Sequence, residues 1–92
     1  MNNKKFTLRN GRCVAEYVDD FGYGLGFSIG NAVRLCYLAG IATDVTEKQK
    51  YLDGMSWYIK FASDHCNVSS DEVSNIVTKI VTQMEKDGNF RQ

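Results

Sequence analysis

The sequence GYGLGFSIGN, residues 22–31, runs directly into AVRLCYLAG, residues 32–40. Four of the eight glycines in the chain fall within the nine positions from 22 to 30, immediately before a helical pattern of apolar residues. Glycine lets the backbone turn sharply and lets a ligand approach it closely, and the first turn of a helix exposes unpaired N–H groups that favour anions. This stretch therefore predicts a glycine-rich loop that leads into a helix with an anion site at its start.

Apolar residues recur with helical periodicity on both sides of the loop. Before it, a stripe spaced i, i+3, i+4, i+7 predicts a helix over residues 12–21, which Gly22 ends. After it, Ser28 is a good N-cap and Gly40 is a good residue to follow a helix, so the second helix is predicted between them. Gly30 in its first turn costs about 1 kcal/mol relative to alanine, which indicates the close approach of a neighbouring helix or of a ligand.

Two further helices are predicted downstream, each opened by a capping box. Thr46 followed by Gln49 opens a third helix over about residues 47–65, and Ser69 followed by Glu72 opens a fourth. The third helix is apolar on more than one face, which is typical of a central helix or of a subunit interface.

Glycines also mark the later helices. Gly54 interrupts the third helix and predicts a tight crossing with a neighbour. The fourth helix has the cleanest amphipathic pattern in the chain, and Gly88 closes it.

The predicted fold class is therefore all-α: a small single-domain bundle of about four helices, with the glycine-rich loop between helices 1 and 2. Residues 1–11 are predicted as an N-terminal arm, either disordered or forming a short edge strand. Residues 12–88 are predicted as the helical domain and residues 89–92 as a tail. Ninety-two residues leave little volume for a core, and the apolar helix surface exceeds what four short helices can cover, so a homo-oligomer is expected.

Composition narrows the classes of function. Eleven basic and eleven acidic residues balance, so there is no strong signal for a nucleic-acid partner. Three cysteines without a C-x-x-C pair indicate a reducing compartment, and His65-Cys66 has no second cluster to complete a metal site. No metal, cofactor or membrane partner is therefore expected. With no apolar run of the length that spans a bilayer and no secretory signal pattern, the predicted location is the cytoplasm.

Neither common phosphate-binding motif fits the glycine-rich stretch. The Walker motif requires a lysine after its glycines, where this chain has Asn31 and Ala32. The dinucleotide fingerprint requires a preceding strand, where a helix is predicted. No catalytic residue is assigned, because His65 has no partner evident from spacing and the adjacent carboxylates at 19–20 and 71–72 point in different directions.

The candidate ligand site combines the predicted helix start with nearby aromatic rings. Arg34, one turn on, can bind a phosphate or carboxylate bidentately. The aromatic residues can stack on a base or another flat ring. The alternative leaves Arg34 as an ordinary surface charge and the rings in the core. The full candidate site comprises Tyr23, Gly26, Phe27, Ser28, Gly30, Asn31, Arg34 and Trp57.

Three segments, GLGFSIGNAVR (24–34), LAG (38–40) and WYI (57–59), together resemble a family of small phage proteins. These are the phage nucleotide kinase-like proteins, also called SaV-like. Their shared pattern is roughly F-x-x-G-N-a-[IV]-[KR]-Y-x-x-R-A-G-K, followed after a gap by D-L-x-K-A-x-W-Y-L. The resemblance covers residues 12 to about 62. The matching positions are Phe27, Gly30, Asn31, Arg34, Ala39, Gly40, Trp57 and Tyr58.

The resemblance implies a phage origin, a helical fold and a nucleotide ligand. Arg34 would bind its phosphate, Asn31 would orient it, and Phe27 or Tyr23 would stack on the base. The chain departs from the family's pattern at charged positions. Charged side chains are the groups that position the substrate in a phosphoryl-transfer site. The family's arginine, lysine, aspartate and second lysine are replaced by Leu38, Ile41, Tyr51 and Gly54. The family's frequent N-terminal histidine-tyrosine pair is also missing.

Three functions follow as hypotheses. The first is a nucleoside monophosphate kinase, and the second is a protein that sequesters a nucleotide or another phosphorylated small molecule, including a signal made by host defence. The third is an interaction module that modulates a host defence factor through its third and fourth helices. Each would act in the cytoplasm of an infected bacterial host if the chain is phage-encoded. Only the third predicts that Arg34→Ala is harmless.

Overall fold

Four α-helices make up the part of the chain that this computed structural model describes, residues 7–90. Helix α1 spans Val14–Asp20, α2 spans Gly24–Ile41, α3 spans Val45–His65 and α4 spans Ser70–Lys86. No strand lies within residues 7–90. The predicted all-α bundle of four helices is confirmed.

Helix α2 is the central helix of the bundle and packs against each of the other three. The amphipathic stripe of α4 supplies three valines to the core at i, i+4 and i+8, which lie one above another on a helix. Small side chains on α2 and α3 let the helices approach closely. The core residues are Ala32, Leu35, Tyr58, Ala62, Val73, Val77 and Val81.

Helices α2 and α3 approach each other closely at Gly54. A Cβ added to Gly54 would lie 3.0 Å from Cδ1 of Leu35, which is itself buried. The tight crossing predicted at Gly54 is therefore confirmed, and its partner is the leucine at the middle of α2.

The start of α2 differs from the prediction. The helix begins at Gly24 rather than at Ser28, and only Phe21–Tyr23 separates it from α1, with Gly22 at φ 89°. Ser28 is thus not an N-cap but a fully buried position inside the helix. The reason is tertiary: Gly24, Ser28 and Ala32 recur every fourth residue and are all buried. Burying this face outweighs the roughly 1 kcal/mol that each helical glycine costs.

The boundaries of α2 and α3 also need correction. Helix α2 continues through Gly40 to Ile41. Gly40 packs against the Phe90 ring, which leaves no room for a Cβ and accounts for the glycine at this position. At the start of α3 the N-cap is Asp44, whose carboxylate accepts a hydrogen bond from the Thr46 N–H at 3.2 Å. The predicted Thr46 capping box is therefore wrong.

The start of α4 agrees with the prediction. The Ser69 hydroxyl accepts from the Glu72 N–H at 3.1 Å, and the Glu72 carboxylate accepts from the Ser69 N–H at 3.3 Å. The capping box is confirmed. After the helix, Gly88 adopts φ 85°, a left-handed conformation that suits glycine.

The described residues before α1 form a short hairpin-like turn. Thr7 and Cys13 form an isolated antiparallel bridge, and the Leu8 N–H donates to the Arg12 carbonyl at 2.7 Å. Of the predicted arm over residues 1–11, residues 1–6 lie outside the described part. So do residues 91–92 of the predicted tail.

Helix α2 is long and apolar enough to cross a membrane by length and composition alone, the only such helix among the described residues. The expectation that no segment reaches that length is therefore wrong for α2. Core helices of water-soluble proteins meet the same criterion. In this structure α2 packs against the other three helices, and 28% of this stretch is buried.

Two glycines of α2 should respond oppositely to substitution by alanine. Gly30→Ala is expected to raise the free energy of unfolding by about 1 kcal/mol, because a Cβ there meets no atom within 4 Å. Gly24→Ala is expected to lower it by about 1–3 kcal/mol, because its Cβ would overlap the carboxyl group of Asp19. Urea unfolding of the two variants measures both changes, and equal effects would contradict the early helix start.

Candidate functional site

Two of the predicted site residues, Phe27 and Trp57, meet at a small apolar cavity. Tyr58 lies between them: its ring centroid is 6.0 Å from that of Phe27 and 5.0 Å from that of Trp57, both edge-to-face. The cavity holds about 270 Å³ between these rings and the start of the described chain. We call it the aromatic cleft. Its lining residues are Thr7, Leu8, Val14, Ala15, Phe27, Trp57 and Tyr58.

Asn31 and Arg34 follow Phe27 at i+4 and i+7, so the three share one side of α2. Arg34 is exposed and takes part in none of the ion pairs found within residues 7–90. Burial raises the pKa of the Tyr58 hydroxyl, and the positive charge of Arg34 opposes that rise. The Arg34 charge is therefore felt beside the aromatic cleft.

Asn31 already has a partner within its own helix. Its side-chain amide donates to the Phe27 carbonyl at 2.9 Å. A hydrogen bond from i to i−4 holds the side chain along the helix. The structure therefore places Asn31 between Phe27 and Arg34, but with its amide directed at the backbone.

The other predicted site residues do not line the aromatic cleft. Gly26 and Gly30 are exposed and face open space. The close approach of a neighbouring helix therefore does not explain why a glycine, which lowers helix stability, stands at position 30. Ser28 is fully buried, and its hydroxyl has no hydrogen-bond partner. Tyr23, at the N-cap of α2, is 71% exposed.

A carboxylate of the protein itself lies against Gly24, the first residue of α2. The Asp19 side chain lies against Gly24, where a Cβ would overlap it. The same carboxylate accepts a hydrogen bond from the Cys66 thiol at 3.7 Å. A negative charge near the first turn of a helix is stabilised by the helix dipole. A negative charge thus lies beside Gly24, ahead of residues 26–31, where the sequence suggested a phosphate.

A second, larger cavity lies on the other side of Trp57. It holds about 580 Å³ between the start of α1 and one face of α3. Three carboxylates and one ammonium group line it, so we call it the acidic cleft. Its lining residues are Cys13, Glu16, Asp53, Ser56, Trp57, Lys60, Phe61, Asp64 and His65.

Sequence reasoning missed the acidic cleft. The spacing of Asp53, Trp57, Lys60 and Asp64 does place them on one helix face. What that spacing could not give is the wall opposite, since it depends on where α1 packs in the folded chain. Among residues 7–90, no group of three or more histidine, cysteine, aspartate or glutamate side chains could hold a metal ion.

No family model, no curated protein and no solved structure matches this chain. The resemblance to the phage nucleotide kinase-like proteins, and the function that it implies, therefore stays a prediction from the residues quoted above.

The contact between Asp19 and Cys66 gives a pH-dependent prediction. Burial, then the charge of Asp19 and its hydrogen bond, raises the pKa of the Cys66 thiol above the usual value of 9.0. Asp19→Asn removes the charge, so we expect the pH midpoint of Cys66 alkylation by iodoacetamide to fall. Asp20→Asn, which removes a neighbouring charge that pairs with Arg12, is the control. Peptide mass spectrometry measures the alkylation rate of Cys66 in each variant. If Asp19→Asn leaves the pH midpoint unchanged, the Asp19 carboxylate does not lie beside the Cys66 thiol.

Proposed function

We propose that this protein binds a small ligand that carries a flat ring and a phosphate or other anionic group, with a nucleotide as the first candidate. The ring would enter the aromatic cleft, and the anionic group would reach Arg34. The observation that carries the proposal is that Phe27 lines this cleft while Arg34 follows it two turns later on the same side of α2.

The cleft suits a ring in both size and chemistry. Its volume of about 270 Å³ is close to the lower end of small-molecule sites. That is room for a base with the phosphate left outside. Phe27, Trp57 and Tyr58 line the cleft, and stacking of a base on an aromatic side chain is worth about 1–3 kcal/mol.

Arg34 is placed to bind the anionic group of the ligand. Seven residues of helix separate it from Phe27, a rise of about 10 Å, which is the order of length of a mononucleotide. Arg34 is exposed and outside the ion pairs of the described residues, so it can form charge-assisted hydrogen bonds without first breaking others.

Sequestration is the form of this function that the residues favour over phosphoryl transfer. Two of the positions where the resembling family has charges have structural roles in this chain. Tyr51 donates its hydroxyl to Glu47 at 2.8 Å, and Gly54 is pressed against Leu35. Neither can stabilise charge on a transferring phosphoryl group. A phage origin and the cytoplasm of an infected host rest on the family resemblance alone.

Ligand binding should raise the melting temperature, because a ligand that binds only the folded state stabilises it by mass action. We expect one class among mono-, di-, tri- and cyclic nucleotides to raise Tm by several degrees. At a concentration about 100 times Kd the stabilisation is about 2.7 kcal/mol. Thermal unfolding across the panel is the measurement.

The variant Arg34→Ala should weaken that nucleotide by about tenfold, the size of one charge-assisted hydrogen bond. Lys79→Ala, which removes an exposed cation from α4, is the matched control and should bind as the parent does. A flat response across the whole panel, or equal loss in both variants, would overturn the nucleotide proposal.

Protein binding is the second candidate function, and the exposed apolar face of α1 favours it. Val14, Tyr17 and Phe21 lie at i, i+3 and i+7, and Phe21 is 78% exposed. Apolar surface of this kind, when contiguous, marks interaction sites. The sequence suggested the third and fourth helices instead. Four α3 residues, Gly54, Tyr58, Phe61 and Ala62, are buried, whereas Ile76 and Ile80 of α4 are exposed.

Self-association through α1 is directly measurable. Light scattering coupled to size-exclusion chromatography gives the mass of the parent chain and of Phe21→Ser. If α1 forms the interface, the parent is an oligomer and Phe21→Ser is a monomer, while Arg34→Ala keeps the parent's mass. If the parent is a monomer, the homo-oligomer hypothesis is wrong, and the partner of the α1 surface would have to be a different protein.

A further inference from the structure

The turn between Thr7 and Cys13 carries the dipeptide Asn10-Gly11, and no other asparagine of the chain precedes a glycine. Residues 7–11 are all exposed. Gly11 adopts φ 86°, and a Cβ there would meet no atom within 4 Å. The Gly11 backbone nitrogen is therefore unscreened by any side chain of its own, in a turn that water can reach.

Two hydrogen bonds hold the side-chain amide of Asn10. Its Oδ1 accepts from the Arg12 N–H at 3.1 Å, and its Nδ2 donates to the Tyr17 hydroxyl. A bond from an asparagine side chain to the N–H two residues on folds the side chain forward along the turn. The amide is therefore held along the stretch of backbone that contains the Gly11 nitrogen.

These contacts meet two needs of an acyl transfer at the amide carbon, Cγ, of Asn10. A donor on the carbonyl oxygen stabilises the negative charge that develops when a nucleophile attacks, and the Arg12 N–H is such a donor. The amide nitrogen needs a proton in order to leave as ammonia, and the Tyr17 hydroxyl is within hydrogen-bonding reach of it. The Gly11 N–H donates to the Leu8 carbonyl at 2.9 Å. This bond must open first, which costs little in a turn with no buried residue.

We propose that Asn10 and Gly11 form a site of covalent self-modification. The Gly11 nitrogen attacks Cγ of Asn10 and loses its proton to solvent, so that a new C–N bond closes a five-membered succinimide ring. The Cγ–Nδ2 bond breaks, and ammonia leaves with a proton from Tyr17, which regains one from solvent. Water then opens the ring at one of its two carbonyls and leaves aspartate or isoaspartate. Nothing is oxidised or reduced; one water is consumed and one ammonia is released.

The product changes the turn in charge and in length. It places a carboxylate beside Arg12, and isoaspartate also adds one carbon to the main chain. The turn is closed by the bond from the Leu8 N–H to the Arg12 carbonyl at 2.7 Å and by the bridge between Thr7 and Cys13. A longer main chain shifts one side of this turn against the other. Thr7 and Leu8 line the aromatic cleft, so the modification alters a wall of that cleft, whatever ligand the cleft binds.

The reaction is measurable without any ligand. The folded protein is incubated in mildly alkaline buffer, and peptide mass spectrometry follows each asparagine with time. We expect the peptide that contains Asn10 to gain one mass unit, with isoaspartate and aspartate separated by electron-transfer fragmentation. Asn67 and Asn89 are exposed but followed by larger residues, so they are the internal controls and should remain unchanged. Asn10→Gln should not react, because its longer side chain would have to close a six-membered ring.

The role of Tyr17 separates a reaction assisted by the fold from one that the dipeptide undergoes alone. Tyr17→Phe keeps the ring and removes the proton donor, so we expect conversion of Asn10 to slow about tenfold, less than the full effect of general acid catalysis. Tyr23→Phe, which removes another exposed hydroxyl, is the matched control and should convert at the parent's rate. In urea, where the contact is lost, the parent and Tyr17→Phe should convert at equal rates.

Three results would overturn the self-modification site: no conversion of Asn10 in the folded protein, equal conversion of Asn67, or an undiminished rate in folded Tyr17→Phe. The effect on the aromatic cleft is tested by the emission of Trp57, the single tryptophan of the chain, which lines it. The spectrum should shift after incubation of the parent and not of Asn10→Gln. An unchanged spectrum in fully converted protein would contradict the altered wall.

Discussion

The close packing of α2 against α3 is the constraint on which the rest of this structure depends. Leu35 presses on Gly54, and the small buried residues Ser28 and Ala32 continue the same face of α2. Because the two helices are held this closely, the Phe27 ring reaches Tyr58, and the side of α2 that carries Arg34 is turned toward the same cleft. The aromatic cleft is thus a by-product of helix packing. It needs no specialised loop.

The four helices could be predicted from the sequence because hydrophobic periodicity and N-caps are local signals. The start of α2 could not be, because glycine is permitted in turns and in helices alike, and burial of Gly24 and Ser28 decides between them. The N-cap of α3 failed for a related reason. Asp44 and Thr46 can both cap a helix, and no local rule chooses between neighbouring candidates.

The sites show the same division between local and tertiary signals. Phe27 and Trp57 were proposed from residue type, and the fold does bring them to one cleft. At the start of α2, Asp19, five residues before Gly24, folds back against that glycine, a contact that the local glycine pattern does not reveal. The face of α3 that lines the acidic cleft is readable from spacing. Its opposing wall requires knowing that α1 packs there.

Charge separates the two clefts more sharply than shape does. Arg34 stands beside one, whereas Glu16 and Asp53 stand on the walls of the other. The charged groups beside the two clefts are therefore opposite in net sign, although aromatic rings line both. A chain with zero formal net charge can hold two local fields of opposite sign.

Trp57 forms a wall of both clefts at once. A ligand that turned the indole in one cavity would reshape a wall of the other. Any rotation of the indole that one ligand favours is felt by the other, and the factor by which each changes the other's affinity must be the same in both directions. A substitution at Trp57 therefore alters the walls of both clefts together.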